Sequence, residues 1–195
     1  KTTLVEAEGL NKGNTVGVNI DKIRSQLPEF REAVVISSKS KQAVSVAFTH
    51  EEASDVASKL MKKALGKQFN MSLDGTGNTT LQKLGGKIAV MRASGHTVVG
   101  EYVTVPVAMA QARADSRASH TDRRFVPPTV MREVHAAVSR IYPEAIRQGL
   151  FDRSRLWDTS GAPGTKPGLI ASSSGKTLTI HNPAKWQEFL DKGKQ

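Results

Sequence analysis

The sequence predicts an α/β fold in which a mostly parallel sheet is flanked by helices, and two observations lead there. Short runs rich in β-branched residues alternate with longer stretches whose apolar residues recur every three or four positions. Glycine, asparagine or aspartate punctuates most of the joins between them. Parallel strands need a long crossover between them, so strand–helix alternation is the pattern a parallel sheet writes into a chain.

Taken in order, Thr2 to Gly9 has helical composition and Gly13-Asn14 marks a turn. Thr15 to Ile20 alternates as a strand does and ends at Asp21. Thr49-His50-Glu51-Glu52 reads as a capping box, in which the Thr49 hydroxyl and Glu52 satisfy the free amides of a helix start. Ala53, Val56, Ala57, Leu60, Met61 and Ala64 continue that helix, with Gly66 placed just past its end. Phe69 to Leu73 is a second strand, closed by Asp74-Gly75-Thr76-Gly77, and Leu81, Leu84, Ile88 and Met91 form a helical stripe ending at Gly95. Thr97 to Val105 is the strongest strand, because Val98, Val99, Tyr102, Val103 and Val105 suit a sheet covered on both faces. A helix is expected over Val107 to Arg117, and a further one capped by Thr129 after Pro127-Pro128 and interrupted at Pro143. Arg155 to Trp157 is a strand, and Gly161 to Gly168 is a loop. Leu169-Ile170-Ala171 and Leu178-Thr179-Ile180 form a hairpin, and Asn182-Pro183 starts a last helix carrying Trp186 and Phe189 inward.

The chain has 195 residues, 38% of them apolar and 5% aromatic, and a formal charge of +10 from 28 Lys and Arg against 18 Asp and Glu. This fits one principal domain over residues 1–160, with residues 161–195 as a loop, hairpin and helix packed on it. No apolar run approaches the ~20 residues that cross a bilayer, so a membrane partner is not expected. The absence of cysteine excludes disulfides, zinc–thiolate sites and thiol nucleophiles, and fits a cytoplasmic protein. His50, His96, His120, His135 and His181 are too irregularly spaced to suggest a metal site, and Trp157 and Trp186 read as core residues. The positive charge suggests a polyanionic partner, but the arginines from Arg113 to Arg155 are interleaved with Asp115, Asp122, Glu133, Glu144 and Asp152, as on a solvated face.

Open parallel sheets bind ligands beyond the carboxyl ends of their strands. Asp21 follows the first strand, Asp74 to Thr80 follows the second, and Pro106 with Arg113 and Arg117 follows the third. A carboxylate, a Gly/Thr-rich loop and arginines could together hold a phosphorylated substrate. Each also has a plain structural use, since an Asp after a strand often caps a helix and Gly-Thr-Gly often makes a turn. Lys1-Thr2-Thr3 matches the end of the P-loop pattern G-x-x-x-x-G-K-[ST], whose lysine reaches the β- and γ-phosphates and whose hydroxyl ligates Mg²⁺.

Three segments in order carry a family resemblance. Lys1-Thr2-Thr3 opens a helix, Val18-Asn19-Ile20-Asp21-Lys22-Ile23-Arg24-Ser25-Gln26-Leu27-Pro28-Glu29-Phe30 follows, and then Leu73-Asp74-Gly75-Thr76-Gly77-Asn78-Thr79-Thr80. Together they resemble the zeta toxin family of bacterial P-loop kinases, from Lys1 to about Asp158, with later marks at Val105-Pro106, Arg117, Arg124, His135 and Gly149 to Asp152. The resemblance implies a P-loop kinase fold and ATP-dependent, Mg²⁺-assisted phosphorylation of a hydroxyl on the amino sugar of UDP-N-acetylglucosamine. It also implies a toxin of a toxin–antitoxin system, blocked by a small helical antitoxin. By the same resemblance Lys1 and Thr2 bind the ATP phosphates, with Thr2 also on the metal, and Asp21 is the catalytic carboxylate that takes the hydroxyl proton, twenty positions after Lys1. Arg117 and Arg124 clamp the transferred phosphoryl group, with Arg113 and Arg123 as near neighbours able to take those roles, and Asp74, Thr76 and Thr80 bind the nucleotide-sugar substrate.

Two departures fall in the substrate loop. Asp74 stands where the family usually has Glu, and Asn78 where a basic residue is common, which leaves another nucleotide-containing metabolite open as acceptor. Two other readings stand beside the kinase: a catalytically silent P-loop relative acting as a binding module, and a basic nucleic-acid binder, the latter disfavoured by few aromatics and no recognition motif. The P-loop match also implies that a glycine turn and an apolar strand precede Lys1.

Overall fold

The computed structural model describes residues 15–40, 49–77, 79–120 and 126–194, the side chains of 37–40, 119 and 120 excepted. It is a mixed α/β structure of two compact units, one formed by Asn11–Gly75 with Ala108–Pro128 and the other including Thr76–Val107 and Thr129–Gln195. No helix among the described residues is long and apolar enough to cross a membrane.

The first unit begins with strand β1 (Thr15–Asn19), followed by helices α1 (Ile20–Arg24), α2 (Pro28–Ser40) and α3 (His50–Gly66) and strand β2 (Asn70–Asp74). β1 and β2 pair in parallel with Val18 opposite Leu73 and Asn19 opposite Asp74, so both carboxyl ends finish level. Helix α3 packs on β1 and α1. Ala53, Ala57 and Ala64 recur on its buried face, where a methyl in place of a larger side chain lets the helix approach closely. The capping box at Thr49 does not form. Thr49 has φ −109° and ψ 10°, its hydroxyl makes no capping bond, and the side chain is buried with Oγ1 unpartnered among the described residues. A hydroxyl reaches the amides of the first turn from extended backbone, and at this ψ the chain is already turning. The far end also differs from expectation. Gly66 is the last helical residue, and the left-handed position falls on Gln68 at φ 54°.

The second unit contains α4 (Leu81–Ala93), β3 (Val99–Thr104), α6 (Pro128–Arg147), β4 (Arg153–Asp158), β5 (Gly168–Ser174), β6 (Thr177–Ile180) and α7 (Pro183–Asp191). Helix α5 (Val107–His120) follows β3 and lies almost wholly within the first unit. The sheet order is β3-β4-β5-β6, with β3 and β4 parallel and the β5–β6 hairpin antiparallel to β4. Leu156 pairs with Ala171 and Trp157 with Leu169, so Ile170 is an extra residue on β5. This bulge lets Ile170 and Ala171 both enter the core.

That core joins Val138, Tyr142 and Ile146 of α6 to Leu156, Ile170, Trp186 and Phe189, and a neighbouring cluster holds Ile88, Ala145 and Phe151. Tyr142 meets Tyr102 at 4.7 Å and Phe189 edge-on at 6.0 Å. Its hydroxyl lies 3.1 Å from Ser154 Oγ, which lies 2.7 Å from Ser173 Oγ, so the buried hydroxyls satisfy one another.

Three expectations are corrected in this unit. Helix α6 runs through Pro143 without stopping, because Tyr142, Ala145 and Ile146 on either side of it are buried and hold both halves in one line. It starts at Pro128, whose fixed φ suits a first helical position, so Thr129 lies inside the first turn and is not its cap. In β3 Val99 is exposed and Tyr102 and Val103 are half-buried, and the enclosed positions are Gly100 and Thr104. Gly100 is small for a reason: a Cβ there would stand 3.0 Å from the Phe151 ring. The last helix forms as expected, with Asn182 Oδ1 accepting from Lys185 N at 3.0 Å.

Candidate functional site

The carboxyl ends of β1 and β2 carry a set of linked polar side chains. Asn19 ends β1, and its Oδ1 accepts from Lys22 N at 3.0 Å, capping α1. Its Nδ2 donates to Asp74 Oδ2 at 2.7 Å, across the pair that the register sets opposite. One side chain therefore starts the helix and ties the two strand ends together. Asp21 stands in the first turn of α1, where the free amides of a helix start favour a carboxylate. One turn later Arg24 is buried, at 3% exposure, and its Nη1 donates to Asp21 Oδ1 at 2.6 Å. Its Nη2 lies 3.3 Å from Nδ1 of His50, the first residue of α3.

The Asp21 side chain is 57% exposed, so the carboxylate that Arg24 holds remains accessible to solvent. A group held in this way can accept or orient a hydroxyl proton from a bound ligand. Asp74 likewise has one oxygen engaged, by Asn19, which fixes its carboxylate at the end of β2.

Asp21 and Asp74 are thus brought to the same edge of one sheet, as the strand-end argument expects. Thr76 and Thr80 belong to the other unit. Thr80 Oγ1 accepts from Lys83 N at 3.2 Å and caps α4, so its hydroxyl has a structural use. Gly77 has φ 77°, and a Cβ there would stand 3.3 Å from the Tyr102 ring, so this glycine serves a tight turn over a packed aromatic. Arg117 is exposed on α5. Lys1, Thr2, Asn78, Arg123 and Arg124 lie outside the described residues.

Sequence reasoning assigned no role to Asn19, Arg24 or His50. The first two left a signal, since Asn immediately before a helix is a capping residue and Asp21-x-x-Arg24 is the spacing of neighbours on one helical turn. His50 left none, being adjacent to Arg24 only through the fold.

The carboxyl ends of β3 and β4 form a second polar cluster. Lys192 Nζ donates to Thr104 Oγ1 at 2.5 Å and to the Val105 carbonyl at 2.8 Å. Burial pulls its pKa below the ordinary lysine value, opposed by Asp158 and Glu188. Burial likewise lowers His135, with Lys192 adding to the effect. Asp158 accepts from the amide and hydroxyl of Ser160 at 2.9 and 2.8 Å. On the face of β3, β4 and β5 a groove of about 420 Å³ runs past Glu101, Arg153, Arg155 and Ser172, and holds none of the expected site residues. There Glu101 accepts from Arg155 Nε at 2.8 Å and from Trp157 Nε1 at 2.7 Å, which accounts for Trp157 as a structural residue. No group of three or more metal-ligating side chains occurs among the described residues.

Parallel strand pairs interleaved with helices, with an aspartate just beyond the carboxyl end of β1, make this a mixed α/β domain whose strand ends carry polar side chains. The zeta toxin family model matches residues 1–162, and the chain belongs to that family. A solved AvrRxo1-ORF1:-ORF2 complex with ATP is similar at 17% identity and a TM-score of 0.69, covering 97% of this chain and 56% of that one. The same pair with sulphate ions gives a TM-score of 0.66 at 17% identity, again over 97% of this chain and 56% of that one. The PezAT chromosomal toxin–antitoxin system of the human pathogen Streptococcus pneumoniae gives 0.65 at 14% identity, covering 99% of this chain and 79% of that one. At these identities the likeness is one of fold, and the chain spans about half the length of the AvrRxo1-ORF1:-ORF2 chains. Comparison with curated proteins gives no match.

Proposed function

We propose that this protein is a kinase that transfers the γ-phosphoryl group of ATP to a hydroxyl of a nucleotide sugar resembling UDP-N-acetylglucosamine, and that it is the toxin of a toxin–antitoxin pair. The observation that carries the reading is Asp21, a carboxylate just beyond the carboxyl end of β1 that a buried arginine holds and that remains 57% exposed. Family membership supports it, as does the fold shared with a complex solved with ATP and with a toxin–antitoxin system.

In this reading the acceptor oxygen forms a bond to the γ-phosphorus, the bond from that phosphorus to the β-bridging oxygen breaks, and ADP leaves. Asp21 orients the hydroxyl and takes its proton. The transition state spreads charge over the phosphoryl oxygens, so cations carry much of the remaining catalysis. Arg117 and Arg124 take that part, and Lys1 and Thr2 hold the nucleotide phosphates. Mg²⁺, bound through Thr2, would neutralise charge on those phosphates. Asp74, Thr76 and Thr80 hold the acceptor, and a small helical protein is the partner that blocks the toxin. Residues 1–160 form the kinase domain, to which 161–195 add the closing hairpin and helix.

The test is incubation of the full-length protein with ATP, Mg²⁺ and UDP-N-acetylglucosamine, followed by phosphorus NMR and mass spectrometry of the sugar nucleotide. A new phosphomonoester on the sugar is expected. Asp74→Ala is expected to raise the acceptor KM about tenfold or more while the ATP KM changes less than twofold. ADP formation with no phosphorylated sugar would move the acceptor to another nucleotide metabolite, and an equal loss of ATP affinity in Asp74→Ala would remove Asp74 from the acceptor site.

A further inference from the structure

Among the described residues Arg24 is the only charged side chain that is buried. Its Nε is enclosed without a partner, while Nη1 and Nη2 reach Asp21 and His50. Stability alone gives little reason for this choice. An enclosed guanidinium with an unsatisfied N–H carries a desolvation cost that an apolar side chain of similar length would avoid. What the arginine supplies is direction, because its two terminal nitrogens lie in one rigid plane and fixing one fixes the other. His50 stands at the start of α3, the helix that packs on α1, and so offers an anchor outside the helix that carries Asp21. Arginine nitrogens only donate, so in this contact Nδ1 of His50 is the acceptor.

We propose that Arg24 is a positioning residue for phosphoryl transfer: anchored on His50, its guanidinium holds the Asp21 carboxylate in the one rotamer that meets the acceptor hydroxyl. The kinetic part of this proposal rests on the reading of Asp21 given above; the orientational part stands by itself. Misplacement of a reacting group by about 1 Å can cost on the order of 10²-fold in rate, so an exposed aspartate free to turn would be a poor base.

The experiment uses the full-length protein and two readouts: kcat and KM with ATP and UDP-N-acetylglucosamine, and NMR three-bond couplings that report χ1 of Asp21. Arg24→Lys keeps the charge and loses the fork, and is expected to lower kcat roughly 10- to 100-fold with less than a twofold change in acceptor KM. His50→Ala, at an exposed position, removes only the anchor and is expected to lower kcat about 3- to 10-fold. His50→Gln, which restores an acceptor oxygen, should recover most of that loss. The Asp21 couplings should pass from one rotamer in the wild type to an average in Arg24→Lys and His50→Ala. A single Asp21 rotamer retained in His50→Ala overturns the proposal, as does a kcat within twofold of wild type or a His50→Gln variant no better than His50→Ala. If Arg24→Lys does not fold, the His50 pair decides. If Asp21→Asn itself keeps its turnover, the reading of Asp21 fails, and the couplings alone then decide whether Arg24 orients it.

Discussion

The side chain of Asn19 closes two structures at once, since its Oδ1 caps α1 and its Nδ2 holds Asp74 on the neighbouring strand. The site is therefore built by short, directional bonds between residues 19, 21, 24, 50 and 74, and only part of that set was legible in the sequence. Asp21 and Asp74 could be found because strand ends are readable from β-branched runs. Thr49 misled because a capping motif in sequence does not fix ψ, and here the backbone turns before the hydroxyl can reach an amide. A different residue-scale consequence concerns the two tyrosines, the only ones in the chain. Burial pushes the pKa of Tyr102 and of Tyr142 from 10.0 up to about 12, with Tyr102 and Glu101 adding to the rise at Tyr142 against the Ser154 hydrogen bond. A folded-state pKa raised above the unfolded value gives stability that is complete below about pH 10 and lost as pH climbs towards 12. Absorbance titration at the phenolate band is expected to show almost no ionisation at pH 10, followed by ionisation coincident with loss of near-ultraviolet circular dichroism. Two phenols titrating near pH 10 with the fold intact would contradict the buried placement.

Among the elements, α6 shows where local rules give way to packing. A proline inside a helix removes one backbone hydrogen bond and crowds the preceding turn, at a cost of about 3 kcal/mol in an isolated helix. Yet Tyr142, Ala145 and Ile146 bury themselves in the two core clusters, and their combined burial keeps the helix continuous from Pro128 to Arg147. Sequence reading ended the helix at Pro143 because tertiary burial on both sides of a proline cannot be read from the proline itself. Pro143→Ala restores the amide and is expected to stabilise the protein by about 1–2 kcal/mol, raising Tm by roughly 2–8 °C in a chain of this size. A lower Tm in a calorimetric scan would mean that the core depends on the proline's own geometry. The Gly-Thr-Gly turn was legible as a turn, but not as a lid over Tyr102, which follows only from the approach of α6 and β3.

For the whole molecule, the strand–helix alternation foretold parallel pairing, which the structure divides between two sheets, and the spacing of residues 169–180 foretold the antiparallel hairpin that extends one of them. The sequence turned Trp186 and Phe189 inward but did not say what they meet: both lie beyond the family match at 1–162 and pack with Tyr142 and Leu156 within it. The charge of +10 finds a use in this account as phosphate recognition at a few positions, while Arg155, Arg147 and Arg92 are paired to Glu101, Glu144 and Asp152. The central claim is that the Asp21 carboxylate at the end of β1 performs proton transfer in an ATP-dependent phosphorylation. Single-turnover transfer of labelled γ-phosphate from ATP to UDP-N-acetylglucosamine, by full-length wild type and Asp21→Asn, tests it most directly, because the substitution keeps the side-chain shape and removes the base. The account predicts a loss of about 10²-fold or more with an unchanged Tm. A variant that keeps more than about a tenth of the wild-type rate would contradict it, since a positioned general base contributes more than that.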